Sequence, residues 1–181
     1  MWPVGHTSVA YLLYAGITRQ RFDTGPGSVA AVLVGVGSLL PDIVDKLLAW
    51  HLGVLPTGRS LFHSSLVLVP FVLAVAVLAR RRGSGEYAVA FGVGALPHPL
   101  FDAAPALWSP ETATFLLWPL LPVTPYEGAP PTVVELLRSS LGDPYFLLEF
   151  LLLGLAVAVW RADGYPGLEF LFGRATDSSR G

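Results

Sequence analysis

Residues 61–82 have the sequence LFHSSLVLVPFVLAVAVLARRR, and this stretch decides the class of fold. Its first part, Leu61 to Ala79, carries no formal charge at neutral pH and ends against three consecutive arginines. A helix needs about 20 mostly apolar residues to cross the hydrocarbon layer of a bilayer. Basic residues at the end of such a helix favour the cytoplasmic side. The stretch therefore predicts a membrane-spanning helix with Arg80 to Arg82 in the cytoplasm.

Three further apolar stretches predict that this helix is one of several. Thr24–Pro41 is uncharged, and Tyr87–Phe101 is apolar and rich in the small residues that let membrane helices approach closely. Pro144–Trp160 is apolar apart from Glu149 and is followed by Arg161, which together with Trp160 predicts an interfacial anchor. We expect an all-α, polytopic transmembrane helical bundle, a multi-pass protein of the cell membrane.

Two more segments set the expected number of membrane helices at about four to six. Thr7–Thr18 is short for a span and predicts a tilted, partly exposed or interfacial helix. Prolines at 119, 122 and 125 interrupt Thr112–Pro125, so we expect a re-entrant or surface segment there. The expected organisation is a single transmembrane helical domain over residues 1–160, followed by a polar C-terminal tail over residues 161–181.

The composition agrees with a membrane protein and excludes several classes of function. Hydrophobic residues make up 53% of the chain, and charged residues only 13%, against about 25% in ordinary soluble domains. The net charge of −2 offers no basic surface to nucleic acid, so we expect membrane lipid as the partner and no nucleic acid. The absence of cysteine excludes disulfides and thiolate metal ligands.

Alternation of the expected helices collects the ionisable residues at one face of the membrane. The five expected helices, in chain order, are 7–18, 26–44, 61–79, 87–104 and 144–160. If they alternate in direction, the first, third and fifth begin, and the second and fourth end, on the same side of the membrane. Six arginines fall on the opposite side and three basic residues on this one, which makes this side the outer face. The residues that gather there are His6, Asp42, Asp45, His63, His98 and Asp102.

These six residues predict a metal site. A single His or Asp at a helix end is usually hydrogen-bonded or solvated, but ionisable groups near membrane spans are costly and tend to be functional. Imidazole and carboxylate are ligands for Zn²⁺, Mn²⁺ or Fe²⁺, and a catalytic ion activates water. We expect a divalent ion, Zn²⁺ or Mn²⁺ first, held by these six, with Asp42, His63 and Asp102 catalytic. Arg59 and Ser38 would either support the metal ligands from behind or bind an anionic group such as phosphate, or Arg59 is an interface anchor.

The order of these residues resembles that of the YdjM-like family of membrane-bound, metal-dependent hydrolases. Over roughly residues 5 to 120, the counterparts of the family's motifs are Gly5-His6, Leu39–Ile43 (LLPDI), Arg59–Ser64 (RSLFHS), Gly94–Asp102 (GALPHPLFD) and Leu116–Pro119 (LLWP). The chain departs from the family pattern at Val44, Asp45, Gly58 and Phe62. These departures leave open one metal ion rather than two, a changed substrate, or lost activity.

Prolines on either side of His98 predict that the fourth helix is kinked or restarts there. Pro97 and Pro99 are the residues concerned, and a proline in a helix removes a hydrogen bond and clashes with the preceding turn.

We therefore expect an integral membrane metal-dependent hydrolase that acts on an ester or phosphoester of a lipid-like substrate at the outer membrane face. The alternative is a non-enzymatic membrane protein, either a metal-binding scaffold or a degenerate relative of the hydrolases. A transporter is disfavoured because the polar residues gather at one face rather than at the midplane.

Overall fold

The structure, a computed structural model, describes residues 1–108, 112–125 and 132–172, and the regular elements of these residues are helices, without a strand. The predicted all-α class is confirmed. A π-helical turn, Leu47–His51, continues α2, and short 3₁₀ turns cover Ala104–Leu107 and Thr114–Leu117. The α-helices of the described residues are α1 (Pro3–Phe22), α2 (Ser28–Lys46), α3 (Ser65–Arg81), α4 (Gly85–Ala95), α5 (Pro97–Ala103), α6 (Val133–Ser140), α7 (Pro144–Ala162) and α8 (Glu169–Phe172).

Two helices among the described residues are long and apolar enough to cross a membrane. They are Ser28–His51, which joins α2 to its π-helical turn, and Pro144–Ala162, which is α7. Helix α3 has 17 residues, slightly fewer than the roughly 20 that a perpendicular span uses. The expected count of four to six membrane helices stays a prediction.

The observed helix bounds differ from the expected ones for local reasons. Helix α3 begins at Ser65 rather than near residue 61, because Ser64 caps it by accepting a hydrogen bond from the backbone N–H of Leu66. The predicted break in the fourth helix is confirmed, since α4 ends at Ala95 and α5 begins at Pro97. Helix α1 extends beyond the expected segment at both ends.

Helix α2 packs most extensively against α4, and glycines allow the two backbones to meet. A Cβ atom on Gly94 would overlap the carbonyl oxygen of Val34, and one on Gly37 would overlap that of Phe91. This close approach of small residues is a common mode of helix packing in membranes. It also brings the end of α2 beside α5, where the candidate site lies.

The outward sides of the long helices are apolar. Leu73 and Val77 on α3, and Leu151 and Leu155 on α7, are all exposed. A water-soluble bundle would present polar side chains at such positions, whereas hydrocarbon solvates these side chains well. The exposed apolar surface thus fits helices that are surrounded by lipid.

The residues after α7 return to α1. The hydroxyl of Tyr11 donates to Asp163 Oδ2 at 2.7 Å, and Arg19 forms an ion pair with the same carboxylate. The indole N–H of Trp160 donates to the carbonyl of Pro166 at 3.0 Å. The boundary between a 1–160 domain and a 161–181 tail stays a prediction, and residues 173–181 of that tail lie outside the described residues.

Candidate metal centre

Four buried side chains from separate parts of the chain meet at one end of the bundle. Asp42 lies near the end of α2, His63 lies just before α3, and His98 and Asp102 lie one turn apart on α5. One ligand atom from each of the four lies within 4.8 Å of the others. The predicted convergence of these four residues is confirmed.

The two imidazole rings point their Nε2 atoms at each other. These atoms lie 3.2 Å apart. His63 Nδ1 lies 2.9 Å from Asp45 Oδ2, and His98 Nδ1 lies 2.7 Å from the carbonyl oxygen of Ser38. A carboxylate and a carbonyl can only accept, so their partners assign the proton to Nδ1 of both rings. Both Nε2 atoms then present lone pairs, which repel each other unless a proton or a cation lies between them.

The two carboxylates of the cluster approach these Nε2 atoms, Asp42 both of them and Asp102 that of His63. Asp42 Oδ1 lies 3.6 Å from His63 Nε2 and 3.7 Å from His98 Nε2. Asp102 Oδ2 lies 3.5 Å from His63 Nε2. Asp42 Oδ2 is buried and has no hydrogen-bond partner. Two imidazole nitrogens and two carboxylates are a donor set suited to Zn²⁺, Mn²⁺ or Fe²⁺, so the residues present fit a divalent ion.

Two cationic side chains contact the carboxylates of the cluster. Lys46 Nζ lies 2.7 Å from Asp42 Oδ1, and Arg59 Nε lies 2.9 Å from Asp102 Oδ2. The α-amino group of Met1 also lies 2.7 Å from Asp102 Oδ1. Lys46 was not among the expected site residues, although its position four residues after Asp42 is the spacing at which a helix pairs opposite charges.

Asp45 lies behind His63 and outside the group of four. Its carboxylate is fully buried and accepts from the backbone N–H groups of Ser60, Phe62 and His63 at 2.8–3.2 Å, and from the His63 ring. A carboxylate in this place fixes the orientation and tautomer of a metal-binding histidine. Asp45 was expected to be a metal ligand, whereas its contacts suit it to hold the ligand His63 in place.

His6 also lies against the cluster without belonging to the group of four. Its Nε2 lies 3.0 Å from Asp102 Oδ1, and its ring stacks on that of His98 with the centroids 3.6 Å apart. Its Nδ1 is buried and has no hydrogen-bond partner. His6 thus borders both α5 members of the cluster.

Arg59 and Ser38, the expected substrate-binding residues, have different surroundings. The Arg59 side chain is 43% exposed and lines a cavity of about 160 Å³ together with Thr57, Thr114 and Asp102. The Ser38 hydroxyl donates to the carbonyl of Gly35 at 2.8 Å and lies 3.2 Å from the Thr7 hydroxyl, between α1 and α2. Arg59 therefore borders an opening beside the cluster. Ser38 instead contacts the cluster through its backbone carbonyl, which accepts from His98 Nδ1. The substrate-binding roles of both residues stay predictions.

A buried carboxylate that the sequence analysis did not assign ties α7 to the start of α1. Glu149 is 2% exposed, and its two oxygens lie 3.0 and 3.1 Å from the backbone nitrogen of Trp2. It was recognisable as the one charged residue inside an apolar run, since such residues are costly in a membrane. This contact holds α7 against the end of the bundle where the metal cluster lies.

The fold and the site together define a class of protein: a helical membrane protein with a buried His and Asp cluster that is compatible with a metal ion. The chain belongs to the YdjM inner membrane protein family, whose family model matches residues 1–165. The resemblance found in the sequence is thus confirmed, over a longer part of the chain than the motifs alone covered. No curated protein and no solved structure matches the chain.

Proposed function

We propose that the protein is an integral membrane metal-dependent hydrolase that acts on an ester or phosphoester of a lipid-like molecule at the outer face of the membrane. The proposal rests on one observation above the others, the two Nε2 atoms that lie 3.2 Å apart beside two carboxylates. Zn²⁺ or Mn²⁺ would be held by Asp42, His63, His98 and Asp102.

A bound divalent ion would supply an activated water and polarise an ester oxygen. The chain's own residues hold the groups around that chemistry. Asp45 and the carbonyl of Ser38 fix the Nδ1 protons of His63 and His98, which keeps both Nε2 atoms directed inward. Asp42 Oδ2 has no hydrogen-bond partner, so it would be available to accept a hydrogen bond from that water.

The cavity beside the cluster supports an anionic, headgroup-sized substrate. Its volume of about 160 Å³ is below the roughly 300–1,000 Å³ of pockets that enclose a drug-sized ligand. Arg59 brings a guanidinium, which recognises phosphate and carboxylate, and Thr57 and Thr114 bring hydroxyl groups. A cavity of this size would admit the polar ester group while the apolar remainder of a lipid stays outside it.

The position of the cluster in the bundle supports both a lipid-like substrate and a site at the outer face. The cluster lies at the ends of helices that present apolar sides, where a bilayer holds the polar parts of its lipids. The excess of arginines at the opposite ends of these helices supports the outer face for the cluster.

A non-enzymatic metal-binding scaffold is the second candidate, and one observation favours it. All four members of the cluster are buried, and structural metal sites are closed, whereas catalytic sites keep a position open. The departures from the family pattern at Val44 and Gly58 agree with a degenerate relative. The opening beside Arg59 favours the hydrolase, so an activity measurement separates the two candidates.

The test is hydrolysis of a chromogenic phosphodiester, bis(4-nitrophenyl) phosphate, by the Zn²⁺- or Mn²⁺-loaded protein in mild detergent. We expect His98→Ala to lose both the metal ion and the activity. Arg59→Ala should keep the ion and mainly raise KM, because it removes a binding group rather than a ligand. Arg138→Ala, which removes an exposed arginine on α6, is the matched control and should behave like the wild type.

Circular dichroism of each variant separates the loss of a ligand from unfolding. Wild-type activity no higher than that of folded His98→Ala would refute the hydrolase. Metal binding by the wild type without hydrolysis of this ester or of a carboxylic ester such as 4-nitrophenyl acetate would favour the scaffold.

A further inference from the structure

Helix α6, which the sequence analysis did not predict, presents large apolar side chains outward. Val133 is 70% exposed, Val134 56%, Leu137 42%, and Leu141, just after the helix, 62%. Thr132 and Glu135 close a capping box at its start, so the helix has a defined N-terminus. Water alone would solvate these four side chains poorly.

The exposed apolar side chains share one side of α6. At 3.6 residues per turn, positions 133, 134, 137 and 141 fall within an arc of about 100°. Glu135 and Ser139 lie on the opposite side, and Arg138 lies between Glu135 and the edge of the apolar arc at Val134. Ser140 faces the bundle, where its Oγ accepts from the Trp2 indole N–H at 2.9 Å. The helix therefore has separate sides for the bundle, for water and for an apolar partner.

The connection to α7 sets the height of α6 relative to the bilayer. Helix α6 ends at Ser140 and the candidate span α7 begins at Pro144. Consecutive Cα atoms are about 3.8 Å apart, so the end of α6 lies within about 15 Å of the start of α7. Helix α6 is thus held near the boundary at which α7 enters the hydrocarbon layer.

We infer that α6 is an interfacial helix whose apolar side is covered by the headgroup and acyl boundary of the bilayer that α7 enters. Glu135 and Arg138 are the charged residues of the helix and have opposite signs, so burial of apolar surface rather than attraction to anionic lipid holds it there. Through Trp2, the helix is tied to the start of α1, where His6 contacts Asp102. Helix α6 thereby fixes the depth of the metal-centre end of the bundle relative to the headgroups.

The test places single cysteines in this cysteine-free chain. Leu137→Cys probes the apolar side of α6, and Ser139→Cys is the matched control on the water-facing side. The full-length variants are labelled with bimane and reconstituted into phosphatidylcholine vesicles. Quenching by a nitroxide attached to the lipid acyl chain is compared with quenching by aqueous iodide.

We expect the ratio of nitroxide quenching to iodide quenching to be several-fold higher at position 137 than at 139. The same ratio should hold in vesicles that contain anionic phosphatidylglycerol, because the helix carries no net charge. Equal ratios at the two positions would overturn the inference. Shielding of position 137 from both quenchers would also overturn it, since a protein partner or a second copy would then cover α6. None of these results depends on hydrolase activity.

Discussion

Replacing Asp45 with asparagine tests whether this buried carboxylate holds His63 in the metal-binding orientation. Asp45 Oδ2 accepts from the Ser60 N–H, the His63 N–H and the His63 ring, and Oδ1 accepts from the Phe62 N–H. Asparagine has one accepting oxygen and one donating NH₂ group. If its oxygen takes the place of Oδ2, its NH₂ group faces the Phe62 N–H and that bond is lost.

The expected loss of stability follows from these four hydrogen bonds. Leaving the Phe62 N–H without an acceptor costs about 1–3 kcal/mol. The three remaining hydrogen bonds each weaken by about 1 kcal/mol, because their acceptor is no longer charged. The total of about 4–6 kcal/mol approaches the 5–15 kcal/mol that stabilises a typical domain. Because His63 also loses the group that orients it, we expect metal affinity to fall by about 10–100-fold.

Thermal unfolding in detergent and titration with Zn²⁺ or Mn²⁺ measure the two effects. Asp23→Asn is the matched control, because it makes the same chemical change at an exposed position after α1. Asp45→Asn should lower Tm and weaken metal binding, while Asp23→Asn should change neither. An Asp45→Asn protein with the wild-type Tm and the wild-type metal affinity would refute the role given to Asp45.

Two further predictions concern packing and orientation. Gly94→Ala should destabilise the bundle by about 1–3 kcal/mol or more, because its Cβ would overlap the α2 backbone. Gly35→Ala, whose Cβ would meet nothing within 4 Å, should be neutral or stabilising by up to about 1 kcal/mol; equal Tm values for the two would contradict the packing. In intact cells, an impermeant maleimide should label Val54→Cys but not Ser84→Cys, and the reverse pattern would invert the proposed orientation.

The meeting of the four cluster residues could be predicted from the sequence because it needs only the alternation of helices. The expected bounds of those helices were off by several residues, yet which ends share a side does not depend on such shifts. The break before Pro97, where a new helix begins, was also predictable, because a proline removes a backbone hydrogen bond from any helix that contains it.

The sequence could not predict that Asp42 joins the metal cluster while Asp45 lies behind His63. Spacing of three residues puts both on one side of α2, and only the folded chain shows that the segment from Ser60 to His63 takes up the Asp45 carboxylate. Long-range contacts of this kind leave no periodic pattern in a single sequence. Helix α6, by contrast, had a local signal, the Thr132 and Glu135 capping box.

The most direct test of the metal centre is the metal content of the purified protein. The chain is loaded with Zn²⁺ or Mn²⁺ in mild detergent, freed of excess ion and analysed for bound metal, together with folded His63→Ala and His98→Ala variants. Because two imidazoles and two carboxylates make up one four-ligand site, we expect about one ion per wild-type chain and a large loss of bound ion in both variants. A folded wild type that retains neither ion, or variants that retain as much as the wild type, would contradict a metal centre at this cluster.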